Sequence, residues 1–111
     1  MSHDFTAQRA ETLSVYADLQ AKHGLPDIAD VDFFFVPMAE TSDWQPLADH
    51  LSNDGYECQF VTAQEKGDAP YLVATLPDQI ISASAIWISE EVATRAALDH
   101  GFRPDGWGLE G

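Results

Sequence analysis

The chain has 111 residues, 45% of them hydrophobic, and carries 19 acidic residues against five basic ones for a net charge of -14. That length suits one domain over residues 1–111 with a core that needs no staples, and excludes two. The charge repels nucleic acid phosphate, anionic lipid and anionic substrates alike, so direct contact with RNA or DNA is disfavoured.

The surplus acid is either a solvated surface or a dedicated docking face for a basic partner. The one cysteine, Cys58, has no partner for an internal disulfide. No positively charged leader followed by an apolar run opens the sequence, so a cytoplasmic location is the expectation. The longest candidate membrane stretch, Ile80 to Ile88, is too short and too interrupted by serine to span a bilayer.

Residues Asp4 to His23 contain no proline or glycine, place Leu13, Tyr16, Ala17 and Gln20 on one stripe, and stop at Gly24 with Lys22 and His23 in the last turn. This predicts a first helix with a thin apolar stripe, laid over the second face of the strand that follows. Leu25 to Asp30, marked by Pro26, is read as a connector. Asp32 to Met38 is then apolar at nearly every position, with Phe33 and Phe35 pointing one way and Phe34, Val36 and Met38 the other. Such a strand belongs at the centre of a sheet, and both of its faces are expected to be covered.

Pro37 ends that ladder, and Ser42 with Gln45 three residues on matches a capping box, which predicts the start of a second helix. Trp44, Leu47, Ala48 and Leu51 recur at helical spacing, and Gly55 closes the helix after Asn53-Asp54. Trp44 on this stripe could line a ligand pocket, but core packing is the simpler reading. From Tyr56 to Thr62 the pattern alternates, with Tyr56, Cys58 and Phe60 on one side and Glu57, Gln59 and Val61 on the other, as in an edge strand. The polar loop Gln64 to Ala69 leads to Tyr71–Leu76, apolar on both faces, so a hairpin with its second strand inside the sheet is expected. Cys58 among the core-facing residues reads as an inert packed thiol rather than a nucleophile.

Pro77-Asp78 is read as the end of that strand. Gln79 to Ile88 fits strand or helix: Ile81, Ala85, Ile88 and Val92 fall at helical spacing, whereas Ser89-Glu90-Glu91 resembles a fresh helix start. The start is therefore placed between Ser82 and Ser89. The end is marked by His100 before Gly101, with Phe102 folding back on the last turn. Asp105-Gly106 is read as a turn pair, and a final strand through Trp107 is placed beside the central strand. The order α-β-α-β-β-α-β predicts an α+β, ferredoxin-like sandwich with a four-stranded, mainly antiparallel sheet and one extra N-terminal helix.

Chemistry is sparse. His3, His23, His50 and His100 fall on separate elements without metal-ligand spacing. Asp30 and Asp32 share one side of an extended segment and read as strand-end solubilisers rather than a catalytic pair. Neither a Gly-x-Ser-x-Gly elbow, a phosphate-cradling glycine loop, nor a Cys-x-x-Cys pair occurs. No catalytic, cofactor or metal residues are assigned, and a non-enzymatic role is the expectation.

The order of elements and the closing Asp105-Gly106-Trp107-Gly108, together with Gln8-Arg9-Ala10-Glu11-Thr12 in the leading helix and Gly55-Tyr56-Glu57 at the second strand, resemble the family of the regulator of ribonuclease activity B, an inhibitor of ribonuclease E. The resemblance covers most of the chain and implies an α+β sandwich that acts by binding the nuclease rather than by catalysis. The best-known member continues into a long acidic tail. Here, where the sequence ends at Gly111, the acidic charge is expected to act from the domain itself. An acidic face meeting a ribonuclease E-type nuclease or its scaffold is thus the expected function, with Asp43, Asp49 and Asp54 on the outer side of the second helix as candidate contacts. The alternatives are an immunity-type module for another basic protein and a small-ligand or enzymatic sandwich.

Overall fold

The computed structural model of the chain describes residues 3–39, 42–62 and 70–110. Its elements are α1 (Phe5–His23), β1 (Ile28–Pro37), α2 (Trp44–Asn53), β2 (Glu57–Val61), β3 (Tyr71–Ile80), α3 (Ala83–Asp99) and β4 (Phe102–Glu110). The loop expected at Gln64 to Ala69 lies outside the described residues. The strands form an antiparallel sheet in the order β2-β3-β1-β4, the ferredoxin-like arrangement predicted from the element order.

β1 is central, as its composition requires. In the ladder Phe33 stands opposite Ala74 of β3 and Trp107 of β4, and Phe35 opposite Leu72 and Pro104. Both phenylalanines are fully buried, with Leu72 beside them in the sheet and Leu47, Leu51 and Ile86 above them on the helices. Tyr56, Cys58 and Phe60 share this inner side, and Trp44 stacks on Phe60 with ring centroids 5.3 Å apart. The tryptophan is packing, not a pocket wall.

The expectation that both faces of β1 are covered is not met. α2 and α3 pack on the Phe33/Phe35 face, and α1 packs on α3 instead of roofing the second face. On that second face Phe34, Val36, Tyr71 and Val73 are half-buried, covering one another across strands; Phe34 meets Tyr71 edge-on at 6.0 Å. A continuous apolar run therefore marked a central strand but not a roof on each side. Met38 falls past the end of β1 and is exposed.

The strand boundaries also move. β1 begins at Ile28, inside the segment read as a connector, and β3 runs through Pro77-Asp78 to Ile80. The ladder slips between Ala29 and Val31, where Asp78 takes a φ of 55° and its N–H donates to the Asp30 carboxylate at 2.9 Å. Asp32, buried on the open face, accepts the Thr75 hydroxyl at 2.5 Å. The two carboxylates are thus structural acceptors that hold β3 onto β1, not strand-end solubilisers.

Three helix readings change as well. The N-cap of α2 is Asp43, whose Oδ1 accepts the Gln45 N–H at 3.0 Å, while the Ser42 hydroxyl donates to the Gly101 carbonyl across the molecule. α3 starts at the early limit of the predicted interval, capped by Ser82 through the Ala85 N–H, so Ser89-Glu90-Glu91 lies in mid-helix. Its buried residues are Ile86, Trp87, Glu90, Ala93, Thr94, Ala96 and Ala97, whereas Ile88 and Val92 of the stripe read from sequence are exposed. On α1, likewise, Thr12 is buried and Tyr16 touches the core, but Ala17 and Gln20 face solvent.

Because Phe35 is fully enclosed and Phe34 is not, Phe35→Ala should destabilise the domain by about 3 to 5 kcal/mol and Phe34→Ala by much less. Urea unfolding monitored by circular dichroism measures both. Equal losses would mean that the open face carries as much of the stability as the core.

Candidate partner-binding groove

α1 is held to α3 by a polar seam, which sets it apart from the rest of the core. The Gln8 amide donates to the Thr94 hydroxyl at 3.0 Å, the Thr12 hydroxyl donates to the Glu90 carboxylate, and His3 Nε2 lies 2.6 Å from Gln8 Oε1. Arg95 reaches over the Phe5 ring at 4.2 Å and pairs with Glu91 at 2.9 Å. Docked this way, α1 leans on α3 and leaves a groove of about 510 Å³ between itself and β4. Glu90 belongs to its lining, along with the first turns of α1 and Pro104 to Trp107 of β4.

The Asp105-Gly106-Trp107 motif therefore forms one wall of this groove. Asp105 and Gly106 are not a turn but a bulge inside β4: the register with β1 shifts between Phe33 and Phe35, where one β1 residue, Phe34, stands opposite the two. Gly106 sits there at a φ of 101°, a conformation that a side chain would strain. The bulge re-aims the strand so that Trp107 packs against the core, with its indole Nε1 buried and lacking an acceptor among the described residues. Gly108, beyond it, lies opposite Asp32 with Phe34 nearby.

Gly55-Tyr56-Glu57 lies elsewhere. Gly55, at a φ of 96°, follows the cap of α2; Tyr56 is buried and its hydroxyl donates to the Ser89 carbonyl at 2.7 Å. Burial, then the nearby Asp54 and Cys58, pushes the Tyr56 phenol up to about 12. This tyrosine ties β2 to α3, and Glu57 is exposed on the sheet.

The three carboxylates proposed for contact are all exposed, but they do not share one direction. At about 100° per residue Asp43 and Asp54 nearly align at opposite ends of α2, while Asp49 lies roughly 120° to 140° round from them. Each also has a local partner: Gln45 N–H for Asp43, the Gln45 amide at 2.9 Å for Asp49, and His50 at 3.7 Å for Asp54. Two histidines read as separate meet at the ends of α2 and α3, with His50 Nδ1 3.4 Å from His100 Nε2. Among the described residues no group of three or more His, Cys, Asp or Glu is placed to hold a metal ion, and no helix is long and apolar enough to cross a membrane.

A family model described as regulator of ribonuclease activity B, RraB, matches residues 9–109. The chain belongs to this family. The resemblance carried by the Asp105-Gly106-Trp107-Gly108 motif and the element order is thereby established over nearly the whole chain, and the family is named for regulating a ribonuclease rather than for a reaction of its own. No curated protein matches the chain.

Within this RraB domain, sequence reasoning quoted Gln8, Glu11 and Thr12 only for the resemblance and gave no groove role to them, to Asp4 or to Glu90. A glutamate four residues after Ile86 and three before Ala93 would have signalled a buried acid, but leaving the helix start open between Ser82 and Ser89 hid that spacing. Burial raises the Glu90 carboxyl above its ordinary value; Glu11 pushes the same way, while hydrogen bonds from Thr12 and Gln8 and the charge of His3 pull it back.

A raised folded-state value means that the native protein holds this proton more tightly than the unfolded chain. The corresponding stability is fully present below the ordinary glutamate value of 4.5 and is lost as pH rises through the folded value. Glu90→Gln should abolish that loss, so its urea midpoint should gain on the parent's as pH rises above 4.5. Parallel curves for variant and parent would exclude Glu90 as the group responsible. Cys58, half-exposed and core-facing on β2, has its thiol pushed up to about 11 by burial against a hydrogen bond with Ser52. It should alkylate slowly near neutral pH and rapidly once urea is added, as a thiol-reagent time course would measure.

Proposed function

We propose that this RraB-family domain regulates a ribonuclease of the ribonuclease E type by direct protein contact through its acidic surface, as a single unit over residues 1–111, without catalysis of its own and without touching RNA. The family match over residues 9–109 is the observation that carries this reading. The charge of -14 supports it physically. RNA phosphate is repelled, while a basic nuclease segment is attracted over about 8 Å, the Debye length at physiological salt. Asp43, Asp49 and Asp54 are exposed on α2 and available to such an encounter, even though their local bonds orient them differently. Charge pairs of this kind govern association rate and salt dependence more than final affinity.

The test is capture of a purified ribonuclease E-type nuclease by the immobilised full chain at low and high salt, with RNA cleavage assayed in parallel. Capture and reduced cleavage at low salt, both weakening as salt rises, are expected. Asp49→Lys and Asp54→Lys with Asp43→Asn, which keeps a competent cap, should slow capture if α2 contributes. Undiminished capture by that triple variant removes α2 from the contact. No capture by the parent protein, or capture of an unrelated basic protein in preference to the nuclease, overturns the ribonuclease reading.

A further inference from the structure

We propose that the groove between α1 and β4 receives an arginine side chain, with its flanking peptide, from an extended basic segment of the partner. The inference rests on the protein-binding reading above and adds the place and chemistry of contact. Among the described residues lining the groove four are carboxylates, Asp4, Glu11, Glu90 and Asp105, and none is lysine or arginine. Asp4 is engaged as the cap of α1, accepting the Ala7 N–H at 2.9 Å, but the others come from three different elements and converge on one space.

Glu90 is the deepest of them. It is 3% exposed and its hydrogen-bond partners Thr12 and Gln8 are neutral, so among the described residues this buried acid lacks the bonded cationic partner that buried carboxylates ordinarily require. A guanidinium entering the groove would supply that charge and could fork between Glu90 and Glu11 or Asp105. His3, also in the lining, is the basic group whose charge already acts on Glu90.

Two features favour a peptide over a free cation. At about 510 Å³ the space lies in the range of roughly 300–1,000 Å³ typical of ligand pockets, larger than one charged head group needs. The wall is also part apolar, from Val15 and Trp107, which suits an arginine stem and allows the guanidinium to stack on the indole. Further, Trp107 Nε1 is a buried donor without an acceptor among the described residues. A guanidinium or polyamine has no acceptor to offer, whereas a peptide carbonyl beside the arginine does. Because Nε1 is shielded in the free protein, the indole must turn for that bond to form.

The experiment titrates the full chain, labelled with 15N and with 5-fluorotryptophan, with a blocked Gly-Arg-Gly-Arg-Gly peptide, its citrulline counterpart and spermidine. The arginine peptide should shift amides along Pro104 to Trp107 and Gln8 to Val15 and move the fluorine signal of Trp107, assigned by Trp107→Phe. Binding should weaken about tenfold or more in Glu90→Gln, and also in Glu11→Gln/Asp105→Asn, whose exposed positions leave the core intact. Equal binding of the citrulline peptide overturns recognition by charge. An equal Trp107 response to spermidine overturns the peptide, and shifts confined to α2 overturn the groove.

Nuclease capture separates this inference from the reading beneath it. If the parent captures the ribonuclease and Glu11→Gln/Asp105→Asn captures it equally well, the groove fails while the protein-binding function stands. If the parent captures no ribonuclease, that function fails, and the peptide titration alone decides whether the groove takes arginine.

Discussion

Enclosure of Phe33 and Phe35 is the constraint on which the rest of the molecule depends. Both side chains project from the central strand to the same face, so that face must be roofed, and α2 and α3 are the elements with enough apolar surface to do it. Their placement leaves the opposite face as a sheet surface where half-buried aromatic and aliphatic side chains shelter one another. It also fills the room above the central strands, so that α1 must find its place against α3.

α1 accordingly docks differently from the other two helices. Its contact residues are Gln8, Thr12 and Tyr16, and the partners on α3 are Thr94 and Glu90, so specific hydrogen bonds rather than a broad apolar stripe fix its position. A polar seam of this kind gives less close packing than interdigitated leucines, and the groove beside β4 is its geometric consequence. Exposed Glu11 and Asp105 line the same groove as buried Glu90. A single packing decision, the seating of α1 on α3, thus shapes the groove.

The bulge at Asp105-Gly106 contributes from the other side. An unbroken strand would carry the alternation of β4 straight past Phe34; two residues opposite one re-aim it, so that Phe102, Trp107 and Leu109 all reach the core side. Glycine at position 106 permits that distortion. The family motif is in this sense structural first, and it borders the groove because the strand that carries it is the edge strand beside α1.

The residues themselves determined the number and order of the elements, the central place of Phe33–Phe35, the edge character of β2 and the Gly101–Phe102 helix end, because periodicity and turn chemistry act over a few neighbours. The acidic excess was equally legible as a sum of charges. Tertiary structure alone decided which face stays open, that β3 continues past Pro77-Asp78, and that His50 meets His100. These outcomes depend on pairings between residues distant in sequence, such as Asp30 with Asp78 and Thr12 with Glu90. The groove belongs to the same class: its carboxylates look like ordinary solvated acids along the chain, and only the seating of α1 on α3 gathers them around one space.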